Sequence, residues 1–352
     1  MSDRGRLTLA QRGVRRTLSM PPAMISRLVG PPPQIDGRTL AAPVNLILGL
    51  ERRGAATTGR GEDVAQRRAD LRRSAQLMMP PIPGVTAVER RIPGPAGSIP
   101  IRFYRSSHAA GPAPVIVYYH GGGWVVGDLD SHDGACRMLA LHSGCSVVSV
   151  DYRRAPENPF PGPLVDATAA FEYVFGHPAD FSGIPGAVAV MGDSAGANLA
   201  AGVCLAAREG RGRPVAQSLV YPATDLRLGH RSVDTLGTGF LLTKPDILWY
   251  RRQYLPALVL VEDPRVSPLL AEDLSGLPPT RIWTAGFDPL RDEGMAFADR
   301  LREAGVDTRD RCFDDQIHGF FGMGLLPGGL ANIASICRET GQLVHAAVRG
   351  MP

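Results

Sequence analysis

The chain has 352 residues, 44% hydrophobic and 20% charged, so it can bury one large core and is not disordered over most of its length. Its formal charge is only +4, but arginines crowd before residue 92, among them Arg4, Arg12, Arg15, Arg16, Arg67, Arg68 and Arg72. No zinc-ligand spacing, aromatic ribonucleoprotein motif or heptad accompanies this basic stretch, so it does not point to nucleic acid and reads as a solvated face of surface helices.

The cysteines Cys136, Cys145, Cys204, Cys312 and Cys337 are scattered, without C-x-x-C spacing. That pattern predicts neither a disulfide framework nor a metal site, and it fits a reducing, cytoplasmic compartment. Arg12, Arg15 and Arg16 interrupt the only candidate signal-peptide core. The longest apolar stretch, Val188 to Ala207, contains Asp193 and Asn198, so no transmembrane segment is expected.

Residues 1–85 carry proline clusters and no strong strand, which predicts a helical appendage. The first forty residues read as a surface helix, with weak peripheral membrane contact through the basic N-terminus as a second reading. Further on, Val64, Leu71, Ala75 and Met78 share one side of a helix opened by Glu62 and Asp63 and stopped by Pro80. From Thr86 the pattern changes to a hairpin, with Val88 to Ile92 and Ile99 to Tyr104 on either side of Pro93-Gly94-Pro95-Ala96-Gly97. Short apolar runs then alternate with helical segments: Val115 to Tyr119, Val147 to Val150, Val188 to Met191, Ser218 to Tyr221 and Ile282 to Ala285. This is the pattern of an α/β fold with a mostly parallel central sheet flanked by helices, in which ligands collect at the carboxyl ends of the strands.

The third of those runs leads into Gly192-Asp193-Ser194-Ala195-Gly196 and a helical stretch, Ala197 to Arg208. G-x-S-x-G between a strand and a helix is a sharp turn that lifts a serine hydroxyl above the sheet. Such a hydroxyl needs a base, and the fold's chain order is nucleophile, acid, histidine. Three histidines follow Ser194. His345 shares a helical face with Arg338 and Gln342 and reads as solvated, and His230 precedes the candidate acid. His318, in a loop after an expected last strand over Asp310 to Phe313, is the best candidate base, with a purely structural loop histidine as the alternative. Asp288 follows a strand and can orient the imidazole, although Asp before Pro289 is also a helix N-cap. Asp292 is the runner-up and reads as a loop support. After the first parallel strand, His120-Gly121-Gly122-Gly123-Trp124 offers backbone N–H groups for an oxyanion.

These motifs, together with Asp151-Tyr152-Arg153-Arg154-Ala155-Pro156-Glu157, Asp288-Pro289-Leu290-Arg291-Asp292-Glu293 and His318-Gly319-Phe320, resemble the hormone-sensitive-lipase-like branch of the α/β-hydrolases, the bacterial family IV esterases, in the GDSAG subgroup. The resemblance covers roughly residues 86 to 345. It implies Ser194, Asp288 and His318 as the catalytic triad, with oxyanion donors at the backbone N–H groups of Gly122, Gly123 and Ala195. It also implies a helical cap, here residues 1–85 with about 225–260 as a second segment, over a catalytic domain of residues 86–352. Arg154 stands where relatives usually have leucine, and Ala197 where a second glycine is common. The expected substrate is a small-molecule ester with a short to medium acyl chain, with no cofactor and no metal; a homodimer is left open. Lactone, carbamate, amide or thioester hydrolysis is the enzymic alternative. A ligand-binding receptor on the same fold is the non-enzymic one, and relatives of that kind lose the histidine that this chain keeps as His318.

Overall fold

The computed structural model describes residues 6–54, 61–208, 210 and 212–351; Arg4 lies outside them. The N-terminal part begins with α1 (Leu9–Leu18) and α2 (Pro22–Val29), then a two-residue ribbon of β1 (Gln34–Ile35) and β2 (Arg38–Thr39), then α3 (Ala42–Arg52) and α4 (Val64–Met78). The expected single surface helix is thus two helices and a ribbon, separated by Pro21 and by Pro31 to Pro33. α4 starts where its sequence signals put it, with Asp63 accepting hydrogen bonds from the N–H groups of Ala65 and Gln66.

The remainder builds one eight-stranded sheet, ordered β10-β9-β8-β7-β5-β6-β4-β3. In chain order its elements are β3 (Val85–Gly94), β4 (Gly97–Ser106), β5 (Ala113–Tyr119), α5 (Asp133–His142), β6 (Ser146–Val150), α6 (Gly162–Gly176), β7 (Gly183–Asp193), α7 (Ala195–Ala206), β8 (Gln217–Val220), α8 (Arg231–Thr235), α9 (Lys244–Tyr254), β9 (Thr280–Phe287), α10 (Arg291–Glu303), β10 (Thr308–Ile317) and α11 (Gly329–Arg349). β3 and β4 form the expected hairpin, in register through Ile92 opposite Ile99, and β4 also runs antiparallel to β6. All other neighbouring pairs are parallel. β3, the edge strand, exposes Glu89, Arg90 and Arg91, charges that discourage pairing with another chain.

The central strands are buried on both faces, as continuous runs such as Val115-Ile116-Val117-Tyr118-Tyr119 require. On one face α6, α7 and α10 pack through Leu164, Phe171, Leu199, Val203 and Phe297; on the other α5 and α11 pack through Cys136, Leu139, Ile333 and Leu343. A third cluster joins Leu18, Ile25, Val44 and Leu48 of the N-terminal helices to Phe240, Phe287 and Ile317. Because β6 lies outside β5, the chain reverses its direction of travel across the sheet between β5 and β7. A crevice opens at such a switch point, beyond the carboxyl ends of the two strands, and here it lies between the loop after Tyr119 and the turn at Ser194.

Several expectations change. β7 begins at Gly183, five residues earlier than its apolar run, because Gly183 pairs with Ala113. α10 begins at Arg291, capped by Leu290, so Asp288 is not its N-cap. His345 is half-buried, its Nε2 3.9 Å from Cys145 Sγ, and is not a solvated residue. The α4 arginines are not all a solvated face either. Arg67 is buried, its guanidinium 4.0 Å from the Trp249 ring centre and paired with Asp246 at 3.4 Å. Arg68 donates to the carbonyls of Val125 and Ala155 and to Glu157, and Arg72 pairs with Asp128. Arg67 fastens α4 to α9, and Arg68 and Arg72 fasten it to the loops that follow β5 and β6. No helix among the described residues is long and apolar enough to cross a membrane.

Candidate active site

Ser194 occupies the single residue between β7 and α7 and has φ 56° and ψ −121°. A positive φ strains a residue with a side chain, and the surroundings must hold it. They do so by close approach: a Cβ on Gly196 would overlap the carbonyl oxygen of Tyr119 on the neighbouring strand, so only glycine lets α7 start there. The Ser194 N–H is tied to Val220 O at 2.8 Å. The hydroxyl therefore stands at the carboxyl end of the sheet, in the switch-point crevice.

His318 follows β10, and its Nε2 lies 2.9 Å from Ser194 Oγ. Its Nδ1 lies 2.8 Å from Asp288 Oδ2. The second Asp288 oxygen accepts the Leu290 N–H at 2.9 Å, and the residue is fully buried. Ser194, His318 and Asp288 thus form one hydrogen-bonded line, with the carboxylate placed to receive an Nδ1 proton. The other candidates lie elsewhere. His230 pairs with Asp225 at 3.2 Å, and Asp292 accepts the Ser232 N–H at 2.9 Å, which makes it a support for the loop at α8.

The segment after β5 turns back toward Ser194 with φ of 114° at Gly122 and 58° at Gly123. Their N–H groups donate to no protein acceptor among the described residues. Ala195 is the first residue of α7, so its N–H belongs to the donors that a helix leaves unpaired at its start. Gly122, Gly123, Ser194, Ala195 and His318 all border one cavity of about 1400 Å³, with Asp288 behind His318. Its wall is completed by Gln11 of α1, Leu71 and Ala75 of α4, and Ile247 and Tyr250 of α9.

A family profile described as the alpha/beta hydrolase fold matches residues 116–322. The chain belongs to the α/β-hydrolase family. Among curated relatives, the carboxylic ester hydrolase LipN of Mycobacterium tuberculosis is 47% identical over 84% of this chain and 81% of its own length. Carboxylesterase NlhH of the same organism is 39% identical over 77% of this chain and 85% of its own. Among solved structures, the ester hydrolase EH1AB1 from the Lake Arreo metagenome, complexed with a bipyridine phosphonate derivative, superposes with a TM-score of 0.83. It is 38% identical and covers 86% of this chain and 99% of that one. A hyperthermophilic esterase from the archaeon Pyrobaculum calidifontis superposes with a TM-score of 0.75 at 36% identity, covering 80% and 94% of the two chains. Within the family, this company puts the chain in the hormone-sensitive-lipase-like branch.

In this α/β-hydrolase the glycine loop is held from two sides. From below, Asp193 accepts the Gly121 N–H at 2.9 Å and the Tyr118 hydroxyl at 2.6 Å, with His132 Nε2 3.4 Å away. Burial disfavours the Asp193 charge, but His132, Tyr118 and the Gly121 amide together keep its carboxyl below the usual range. Next to it, burial pulls the His120 pKa down to about 3, so that ring is neutral. From above, α9 rests on the loop: a Cβ on Gly123 would run into the Tyr250 ring, and Trp124 stacks on Tyr254. Sequence reasoning put α9 in a cap segment but missed that Tyr250 and Tyr254 pack on the glycine loop, because local periodicity does not mark a contact with a loop more than a hundred residues away; it also missed His132, which acts through Asp193. The one signal available was the acidic residue type inside G-D-S-A-G. Among the described residues no group of three His, Cys, Asp or Glu side chains is arranged to hold a metal ion.

Proposed function

We propose that this chain is a serine carboxylesterase, in the GDSAG subgroup, that hydrolyses short- to medium-chain acyl esters through Ser194, His318 and Asp288. The observation that carries the reading is the continuous line Ser194 Oγ, His318 Nε2, His318 Nδ1, Asp288 Oδ2, with spacings of 2.9 and 2.8 Å, at the wall of a largely apolar cavity. The ester-hydrolase names of its relatives support the same reaction class.

Ser194 Oγ attacks the ester carbonyl while His318 Nε2 takes its proton, and Asp288 stabilises the imidazolium. The carbonyl oxygen becomes negative in the tetrahedral intermediate and is received by the N–H groups of Gly122, Gly123 and Ala195. The C–O bond to the alcohol breaks, and the alcohol leaves with the proton from Nε2. Water then gives a proton to Nε2, attacks the acyl-enzyme and releases the acid, and Ser194 recovers its proton. Every proton is accounted for by one imidazole, and the chemistry calls on no cofactor.

Residues 1–85, with about 225–260 as a second segment, serve as the cap, and residues 86–352 as the catalytic domain. Support comes from the cavity wall, to which α1, α4 and α9 contribute. Excluding bulk water there strengthens each electrostatic contact to the reacting oxygen. The test is a chain-length series of nitrophenyl esters with Ser194→Ala as control. Turnover of short and medium esters, lost in the variant, is expected; undiminished turnover by Ser194→Ala overturns the assignment.

A further inference from the structure

We propose that the outer face of α1 and α2 docks this protein on an anionic lipid surface. α1 is fixed to the body from its inner side: Gln11 and Leu18 are buried, and Gln11 Nε2 donates to the carbonyls of Gln76 and Met79, both at 2.9 Å. Its outer side carries Arg12 and Arg16, with Arg15 on the flank, and α2 adds Arg27, all exposed. None of these four makes an ion pair among the described residues, and residues 4–35 contain no Asp or Glu to supply one. Many arginines of the body are paired, although exposed ones such as Arg252, Arg309 and Arg338 make no ion pair among the described residues. Arg102, Arg153, Arg227, Arg265 and Arg302 are each held by a carboxylate. An unscreened cationic surface of this kind seeks phosphate, which a guanidinium meets with two parallel N–H donors.

The same two helices expose apolar side chains that an ordinary solvated face would not need. Leu9 is 80% exposed, Met24 51% and Leu28 46%. Leu9, Arg12 and Arg16 fall on one stripe of α1, and Met24 and Leu28 are one turn apart on α2. Arginines around aliphatic side chains suit the boundary between headgroups and acyl chains, where both have a partner. Nucleic acid is disfavoured, because residues 6–35 contain no aromatic side chain on which a base could stack. The position of the face also gives it a use. Thr8, which caps α1, and Gln11 of α1 border the cavity that holds Ser194, so a bilayer against α1 stands beside that cavity. That use, delivery of membrane-dissolved esters, rests on the carboxylesterase reading; the docking itself does not.

The experiment is co-sedimentation of the full chain with vesicles, in the absence of any ester. Vesicles of about 30% phosphatidylglycerol in phosphatidylcholine are compared with phosphatidylcholine alone, in roughly 0.05 and 0.3 M salt. Binding to the anionic vesicles at low salt, lost at high salt and absent from neutral vesicles, is expected. Each arginine near an anionic surface contributes about fivefold in partitioning, so Arg12→Glu with Arg16→Glu lowers it by at least about 100-fold. Arg12→Gln with Arg16→Gln gives a smaller loss in the same direction. Both variants keep wild-type hydrolysis of a soluble nitrophenyl ester, so failure of docking and failure of the esterase reading are told apart. Absence of vesicle binding, equal binding to neutral vesicles, undiminished binding by the charge-reversed protein, or arginine-dependent binding to an oligonucleotide in place of vesicles overturns the proposal.

Discussion

The ring of Tyr254 lies flat against the ring of Trp124, with centroids 4.3 Å apart and planes 5° from parallel. Trp124 ends the glycine loop that borders the same cavity as Ser194, and Tyr254 ends α9, so the stack joins a wall of the cavity to the loop proposed to donate to the oxyanion. Tyr254 Oη is buried and has no hydrogen-bond partner, so the contact is made by the ring alone. Tyr254→Phe is therefore expected to keep wild-type kcat and stability. Tyr254→Ala removes the support and is expected to lower kcat by about 10- to 100-fold with little change in KM, short of deleting a donor outright. Steady-state kinetics on one nitrophenyl ester compare the two; an equal loss in Phe and Ala variants contradicts a ring-only role.

Asp288 is fully buried with its Oδ2 2.8 Å from His318 Nδ1, the contact by which the proposed triad orients the imidazole. Asp288→Asn keeps the shape but turns the stabilising acceptor into an amide that cannot hold the imidazolium. A fall in kcat of about 10⁴-fold is expected, by analogy with the same change in a serine protease triad. Circular dichroism with kinetics distinguishes this from unfolding, since a folded variant retaining more than about a tenth of wild-type kcat would contradict the role.

Glu293 is buried without an ion pair among the described residues; one oxygen accepts the N–H groups of Thr224 and Asp225, and the other has no partner. Burial, with the charges of Asp225 and Asp288 nearby, holds its carboxyl well above the ordinary value of 4.5. As pH rises through that value the unfolded chain ionises first, so wild-type stability falls above it. The amide of Glu293→Gln does not ionise. Urea denaturation is expected to show the variant gaining on the wild type as pH rises above about 4.5, with a slope of at most about 1.4 kcal/mol per pH unit. A pH-independent difference would mean that Glu293 is ionised in the fold.

His120 has the opposite dependence. Its pKa of about 3 in the fold lies below the unfolded value near 6.5, so between the two the unfolded chain carries the extra proton. Its contribution is complete above about pH 6.5 and is lost as pH falls toward 3, which amounts to about 2 kcal/mol between pH 7 and 5. Urea midpoints for the wild type and His120→Asn are expected to diverge at pH 7 and converge toward pH 5. Parallel pH profiles would contradict a neutral buried His120.

Much of the sheet was legible because its strands are short, continuously apolar runs: Val115 to Tyr119 and Val147 to Val150 became β5 and β6 almost unchanged. The serine, histidine and aspartate were legible through chain order, which survives folding. What was not legible depended on distant contacts. The first half of β7, Gly183-Ile184-Pro185-Gly186, has turn composition and is a strand only because β5 offers it an edge. α3 buries Val44, Leu46 and Leu48 against Phe240, Phe287 and Ile317, partners far away in sequence. Arg67 looked like one more solvated cation until the Trp249 ring covered it. Composition alone does not separate such an arginine from Arg12 or Arg16, which stay in solvent.

The central claim, that Ser194 is a nucleophile activated by His318, is tested most directly by a fluorophosphonate probe followed by peptide mass spectrometry. One covalent adduct per chain is predicted, on Ser194 alone, with loss of esterase activity in proportion to labelling and no adduct on Ser194→Ala or on the His318→Ala protein at matched times. An active protein that stays unlabelled at Ser194, or carries its adduct on another residue, would contradict it.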